Sequence, residues 1–224
     1  MAGTLTSRQG LLAATLTGTA GFVDGVGFLH LGGYFVSFMS GNSTRAGADL
    51  ATGHLLGWVK AIGLIVFFVL GVLVASLVVH FRARGDASWA QAGPRSTAVW
   101  VSLGFVLAAA VLGSVPALQP AVPPALAAGM GAVNGTFTRG GEVSVGLTYM
   151  TGTLVKTGQH LAHALTGGHR TVWLRFLGLW AAIALGSTAG AVTFQWLGLA
   201  SLWVAAALLV VPAVGLSLRE RRAV

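Results

Sequence analysis

Residues 61–79, 176–194 and 197–216 each run for about twenty positions without a charged side chain. A helix rises about 1.5 Å per residue, so each run is long enough to cross the roughly 30 Å of hydrocarbon in a bilayer. One such run in a chain could be a buried core helix. Several among 224 residues cannot all be covered by the remainder. The composition agrees: 55% of residues are apolar and 8% are charged, against roughly a quarter charged in a soluble domain. The chain reads as an all-α integral membrane protein, with the lipid bilayer as its main partner. It has no cysteine, which excludes disulfides and thiolate metal sites. Its formal charge of +8 raises the question of nucleic acid. The cations, however, sit between the apolar runs, where cytoplasmic membrane loops carry them, and no nucleic-acid partner is expected.

Eight hydrophobic segments are predicted: about 11–31, 34–50, 55–81, 96–115, a fifth that follows a short Pro-rich turn at 116–124 and runs to about 138, then 143–165, 172–194 and 197–216. The second and sixth are short and polar. A basic loop with Arg82, Arg84, Asp86 and Arg95 follows the third, and Pro94 breaks it. Pro123 and Pro124 suit a first helical turn, where a missing N–H costs nothing. The first segment follows Arg8 as a signal peptide would, but it carries Asp24 and recurs later in the chain.

That recurrence is an internal repeat. Gly21-Phe22-Val23-Asp24-Gly25 matches Gly131-Ala132-Val133-Asn134-Gly135 at a step of 110 residues. Phe38-Met39-Ser40-Gly41 matches Tyr149-Met150-Thr151-Gly152 at a step of 111. In both copies a cation follows four residues after the second glycine (Arg45 and Lys156), and another glycine two residues later (Gly47 and Gly158). The expectation is a single membrane domain, 1–224, with repeat halves at roughly 11–115 and 118–218. Repeats with interrupted polar segments in corresponding positions point to a solute site; the plainer alternative is a duplication that serves packing alone.

The charges set the topology. With eight crossings and a cytoplasmic N-terminus, the Arg82–Arg95 loop would face outside, against the positive-inside rule. If the second and sixth segments instead enter and return on one side, Arg8, Arg82, Arg84, Arg95, Arg139, Arg170 and the Arg219–Arg222 tail all become cytoplasmic. Six transmembrane helices plus two re-entrant or broken segments is therefore the favoured architecture, with both termini cytoplasmic and inverted halves. Eight full transmembrane helices, 4+4 and parallel, is the alternative. Lys60 is the main exception to the bias. Re-entrant backbone is tolerated only against protein or a water-filled cavity, so a polar interior is expected too.

The stretch from Gly21-Phe22-Val23-Asp24 through Phe38-Met39-Ser40-Gly41-Asn42-Ser43-Thr44-Arg45 resembles the YoaK family. This is a bacterial group of membrane proteins of about this length, classed as a domain of unknown function. Its pattern more often has Thr where Ser40 and Ser43 stand. The resemblance covers nearly the whole chain and implies a bacterial inner-membrane location. It brings no activity, substrate or catalytic residue with it.

A carboxylate such as Asp24 within an apolar segment costs at least about 2.5 kcal/mol on insertion scales and needs a partner. Arg45 is the first candidate and Lys156 the second; the alternatives are a structural tie or a protonated acid bonded to backbone. Asn134 keeps the shape without the charge. Ser40, Asn42, Thr44 and Arg45 in one half, with Thr151 and Lys156 in the other, complete a candidate substrate-binding set. Such hydroxyls also serve plain helix packing. Two cations near the starts of broken helices, whose N-termini add positive potential, favour a small anionic or zwitterionic solute. Asp49 is placed to pair with Arg45 at i, i+4, and Glu142 reads as a solvated loop acid. The His160/His163 spacing suits one helical face, but no thiol or carboxylate joins them, so no metal is expected. Trp173, Trp196 and Trp203 read as interfacial anchors. No catalytic constellation, no phosphate-binding loop and no cofactor motif is present. The function expected is therefore a transporter or channel, not an enzyme. The alternatives are a non-transporting regulatory subunit and, third, an intramembrane enzyme acting on a lipid-linked substrate. Six spans are half the size of many transporters, which is compatible with a homodimer.

Overall fold

The computed structural model describes residues 6–82, 93–139 and 142–222; Arg84, Asp86 and the Gly140-Gly141 pair lie outside them. The described chain is helical almost throughout. Its helices are α1 (Ser7–Leu31), α2 (Met39–Ala51), α3 (Leu55–Arg82), α4 (Ser96–Gly113), α5 (Val122–Val133), α6 (Met150–Leu165), α7 (Val172–Leu197) and α8 (Ser201–Arg222). α1, α3, α4 and the α7–α8 run are long and apolar enough to cross a membrane. Large apolar side chains such as Phe67, Leu70, Leu185 and Val211 point outward on them. In water that arrangement would be costly; in lipid it needs no cover. Four such stretches in one chain are the pattern of a multi-pass membrane protein.

Helix direction can be read from which residues meet. Gly21 lies on the Ile183 carbonyl and Gly25 on that of Ser187, so α1 and α7 run in parallel. Gly131 lies on the Phe68 carbonyl and, further along both segments, Gly135 lies beside Ala75, so α3 and α5 are also parallel. α4 runs against α5, with Ser102 Oγ donating to Gly129 O and Gly113 beside Val122. It runs against α8 as well. Near one end of that pair Ser96 meets Glu220, and near the other Gly113 meets Leu199. α8 folds back on α7 through the single turn 198–200. α1, α4 and α7 therefore point one way, and α3, α5 and α8 the other.

Glycine sets how closely the parallel pairs approach. A Cβ on Gly186 would collide with the Gly18 carbonyl oxygen, and one on Gly71 with that of Ala128. Gly18 and Ala128 stand 110 residues apart, the step of the sequence repeat. Removing the side chain lets the backbones touch, the small-residue packing that lipid favours because apolar burial gives no net drive there.

Two features depart from the sequence reading. The fifth segment, expected to run to about 138, is α-helix only over Val122–Val133 and passes into a 3-10 turn at Asn134–Thr136, while the Pro-rich turn expected before it is a 3-10 helix over Pro116–Ala121. Pro123 and Pro124 do fall in its first turn. A small antiparallel sheet also joins β1 (Gly93–Pro94), β2 (Phe137–Arg139) and β3 (Glu142–Val143), with Gly93 opposite Thr138 and Arg139 opposite Glu142. Nothing in the sequence pattern announced these very short strands.

Candidate functional site

α1 ends where Gly32 and Gly33 take positive φ values of 68° and 101° and reverse the chain. Residues 34–38 are non-helical, bend at Val36 and Ser37, and come back against α1. Asp24 Oδ1 accepts hydrogen bonds from the backbone N–H groups of Val36 at 2.7 Å and Ser37 at 2.9 Å. Asp24 lies two turns before the end of its helix, so the loop tip reaches roughly 10 Å back from that end. Val36 seals the contact against Gly27. Asn42 holds the loop to α2: its side chain donates to Phe35 O at 2.6 Å and accepts from Phe35 N at 2.9 Å. Asn42 is fully buried in this role.

The expected Asp24–Arg45 tie is therefore replaced by a carboxylate bound to backbone amides, which supply the positive ends of peptide dipoles without a second buried charge. Arg45 lies over the Tyr34 ring, its guanidinium carbon 4.6 Å from the centroid, a cation–π contact. The expected Arg45–Asp49 pairing is also corrected, because Asp49 Oδ2 accepts from the Tyr34 hydroxyl at 2.6 Å. Tyr34 thus serves both charges, one with its ring and one with its oxygen. Arg45 Nε is buried with no hydrogen-bond partner. Ser40 and Thr44 are exposed, and the Thr44 hydroxyl donates to Ser40 O within α2.

The second half builds a similar device. Asn134, at the end of α5, accepts from Thr148 N at 3.4 Å through Oδ1, while Nδ2 donates to Met130 O at 2.9 Å and to Thr148 Oγ1 at 3.2 Å. The residue preceding each short helix is aromatic and has nearly the same backbone: Phe38 at φ −97°, ψ 78° and Tyr149 at φ −92°, ψ 80°. Neither helix start has a side-chain cap, so the first N–H groups of α2 and α6 are not satisfied by side chains. Thr151 and Lys156 are exposed. Lys156 Nζ lies 5.6 Å from the Phe176 ring centroid. His160 stacks on the Phe176 ring, 5.0 Å between centroids and 5° from parallel.

The loops converge on α1. Thr17 Oγ1 donates to Leu147 O at 3.1 Å, which brings the tip before α6 onto the same helix that holds the tip before α2. Thr17 and Asp24 are seven residues apart, close to two turns, so they share one face about 10 Å apart. The structure thus gathers Asp24, Asn42, Asn134 and their loop backbones around α1. Arg45 and Lys156 are not drawn into one cluster. Each lies against an aromatic ring of its own half, Arg45 near the end of α1 and Lys156 near the start of α7. The sequence reading missed Tyr34, Thr17 and Leu147. Tyr34 alone left a trace, as one of only two tyrosines in the chain.

Residues 12–215 match the family described as protein of unknown function (DUF1275). A UPF0700 transmembrane protein of Rhizobium meliloti (strain 1021) is 34% identical over 193 residues, covering 86% of this chain and 79% of that protein. No solved structure matches. The chain belongs to the DUF1275 family of membrane proteins, in keeping with the YoaK-like motif that its first half carries.

Proposed function

We propose that this protein is a non-enzymic transporter or channel for a small anionic or zwitterionic solute, which passes between two re-entrant loops. The observation that carries this reading is the convergence of both loop tips on one face of α1. Non-helical backbone at membrane depth is tolerated where it lines a cavity or is buried in protein. Two uncapped helix starts direct peptide N–H groups towards that region, which favours negative charge. Arg45 and Lys156 act as attracting charges at opposite mouths, and Asp24 is the group that would couple passage to protons.

The membrane topology in this proposal is six crossings with α2 and α6 re-entrant, and the two halves are inverted repeats. The antiparallel sense of α1 and α5 supports it. So does the equivalence of the α1–α7 and α5–α3 crossings. α2 spans about 20 Å and α6 about 24 Å at 1.5 Å per residue, short of the bilayer core. α5 reaches across with the help of its flanking 3-10 turns. Arg8, Arg82, Arg95, Arg139, Arg170, Arg219, Arg221 and Arg222 all fall at the end where α1 starts. By the positive-inside rule, that end and both termini are cytoplasmic, in a bacterial inner membrane. The exposed hydroxyl face of Ser40, Ser43 and Thr44 on α2 fits poorly against lipid, and a second copy covering it is part of the proposal.

The test is flux. Purified protein in vesicles would be challenged with sodium formate, acetate, lactate or glycine, and the volume change followed by light scattering. The expected result is entry of at least one of these above protein-free vesicles, lost in both Arg45→Ala and Lys156→Ala. Retained flux in both variants refutes the site, and no flux of any probe favours a regulatory subunit. Topology is tested separately with single cysteines at Thr52, Gln119 and Ser144, labelled from outside intact cells. Labelling of the first two alone supports six crossings; labelling of Ser144 alone supports eight.

A further inference from the structure

We propose that the groove between α1 and α8 binds an anionic phospholipid. The groove has a volume of about 270 Å³ and opens between the two antiparallel helices. Leu11 and Thr15 on α1 and Val211 on α8 line it, and Gly215 leaves it open, since a Cβ there would meet nothing within 4 Å. At the end where α1 starts and α8 finishes, Arg8 and Arg219 both line it. Neither has a hydrogen-bond or ion-pair partner among the described residues. No acidic side chain lines the groove.

The nearest acid is committed elsewhere. Glu220 follows Arg219 directly, but its carboxylate is bonded to the Ser96 N–H at 2.8 Å and to the Ser96 hydroxyl. Those bonds fix it at the start of α4, away from α1, so the arginine pair is not neutralised from within. Two guanidinium groups at the interfacial end of an apolar furrow match a phosphate with an acyl chain below it: their N–H groups donate to the phosphate oxygens and the furrow takes the chain. A headgroup that is zwitterionic carries its own cation and gains less from the pair. This inference does not rest on the transport reading.

Detergent-purified protein would be mixed with dioleoylphosphatidylglycerol or dioleoylphosphatidylcholine, and retained lipid counted by native mass spectrometry. The expected result is retention of the glycerol lipid over the choline lipid, with affinity falling roughly thirty-fold in Arg8→Gln/Arg219→Gln, the effect of two surface cations. Gly215→Leu, which fills the furrow and leaves both arginines, should also lose the lipid. Arg221→Gln, a tail cation that does not line this groove, should retain it. Equal retention of both lipids overturns the proposal. So does an Arg221→Gln loss as large as that of the double variant, or unchanged binding in Gly215→Leu. Displacement by inorganic phosphate as effective as by the lipid also overturns it, because it would reduce the site to a phosphate trap.

Discussion

The loop before α2 and the loop before α6 hold the same shape with different strength. Asp24 grips two amides at 2.7 and 2.9 Å, whereas Asn134 reaches one amide at only 3.4 Å and leans on the Thr148 hydroxyl and its own helix. The first loop is held by an ionisable side chain and the second by an amide. Two similar loop geometries thus place a titratable group in only one of them.

The most drastic way to break the comparison is to attack what both halves share. Gly186→Leu and Gly71→Leu each drive a side chain into a carbonyl oxygen of the neighbouring helix, and we expect both to abolish folded protein, read as loss of a monodisperse peak in detergent. If only one does so, the two crossings are not equivalent. Next comes the difference between the loops. Asp24→Ala leaves two buried amides unpaired at about 1–3 kcal/mol each, so a loss of about 3 kcal/mol or more is expected by thermal unfolding. Asn134→Ala should cost about 1 kcal/mol. Equal losses would erase the asymmetry. Asp24→Asn sharpens it, retaining an acceptor for the amides while removing the titrating group. Folding should persist, and any flux should lose its dependence on pH. Tyr34→Phe removes the bond to Asp49 but not the ring under Arg45, and should cost about 1.5–3 kcal/mol, the range for a hydrogen bond to a charged group. Thr17→Val removes the single hydroxyl between α1 and the second loop, and about 1 kcal/mol is expected.

Much of the helix framework was legible because lipid demands length and apolarity, and both are visible in a linear sequence. Segments at 11–31, 55–81 and 172–194 differ from α1, α3 and α7 by a few residues at their ends. The polar segments were found, but their form was not. Residues 34–38 bend back instead of continuing as helix because Asp24 captures the amides of Val36 and Ser37, and no local periodicity encodes an acid twelve residues upstream. For Asp24 the sequence put Arg45 first and kept an acid bonded to backbone as the alternative; the structure has the second, because two backbone N–H groups perform the task without a second buried charge. Tyr34 escaped notice because its two roles exist only once α2 has folded beside it. Lys156 and Arg45 occupy corresponding places in the sequence pattern, yet Arg45 lies near the end of α1 and Lys156 against Phe176 near the start of α7.

The bonding of α1 also bears on how the chain is made. The amides that quiet Asp24 lie only 12 and 13 residues downstream, so the charge can be masked almost as soon as the first segment leaves the ribosome. The parallel partner of α1 is α7, and the Ser187 hydroxyl that reaches Gly21 O comes 166 residues later. The newborn first helix must therefore wait in the bilayer with its glycine face against lipid, electrically settled but mechanically unattached, until nearly all of the chain has been inserted.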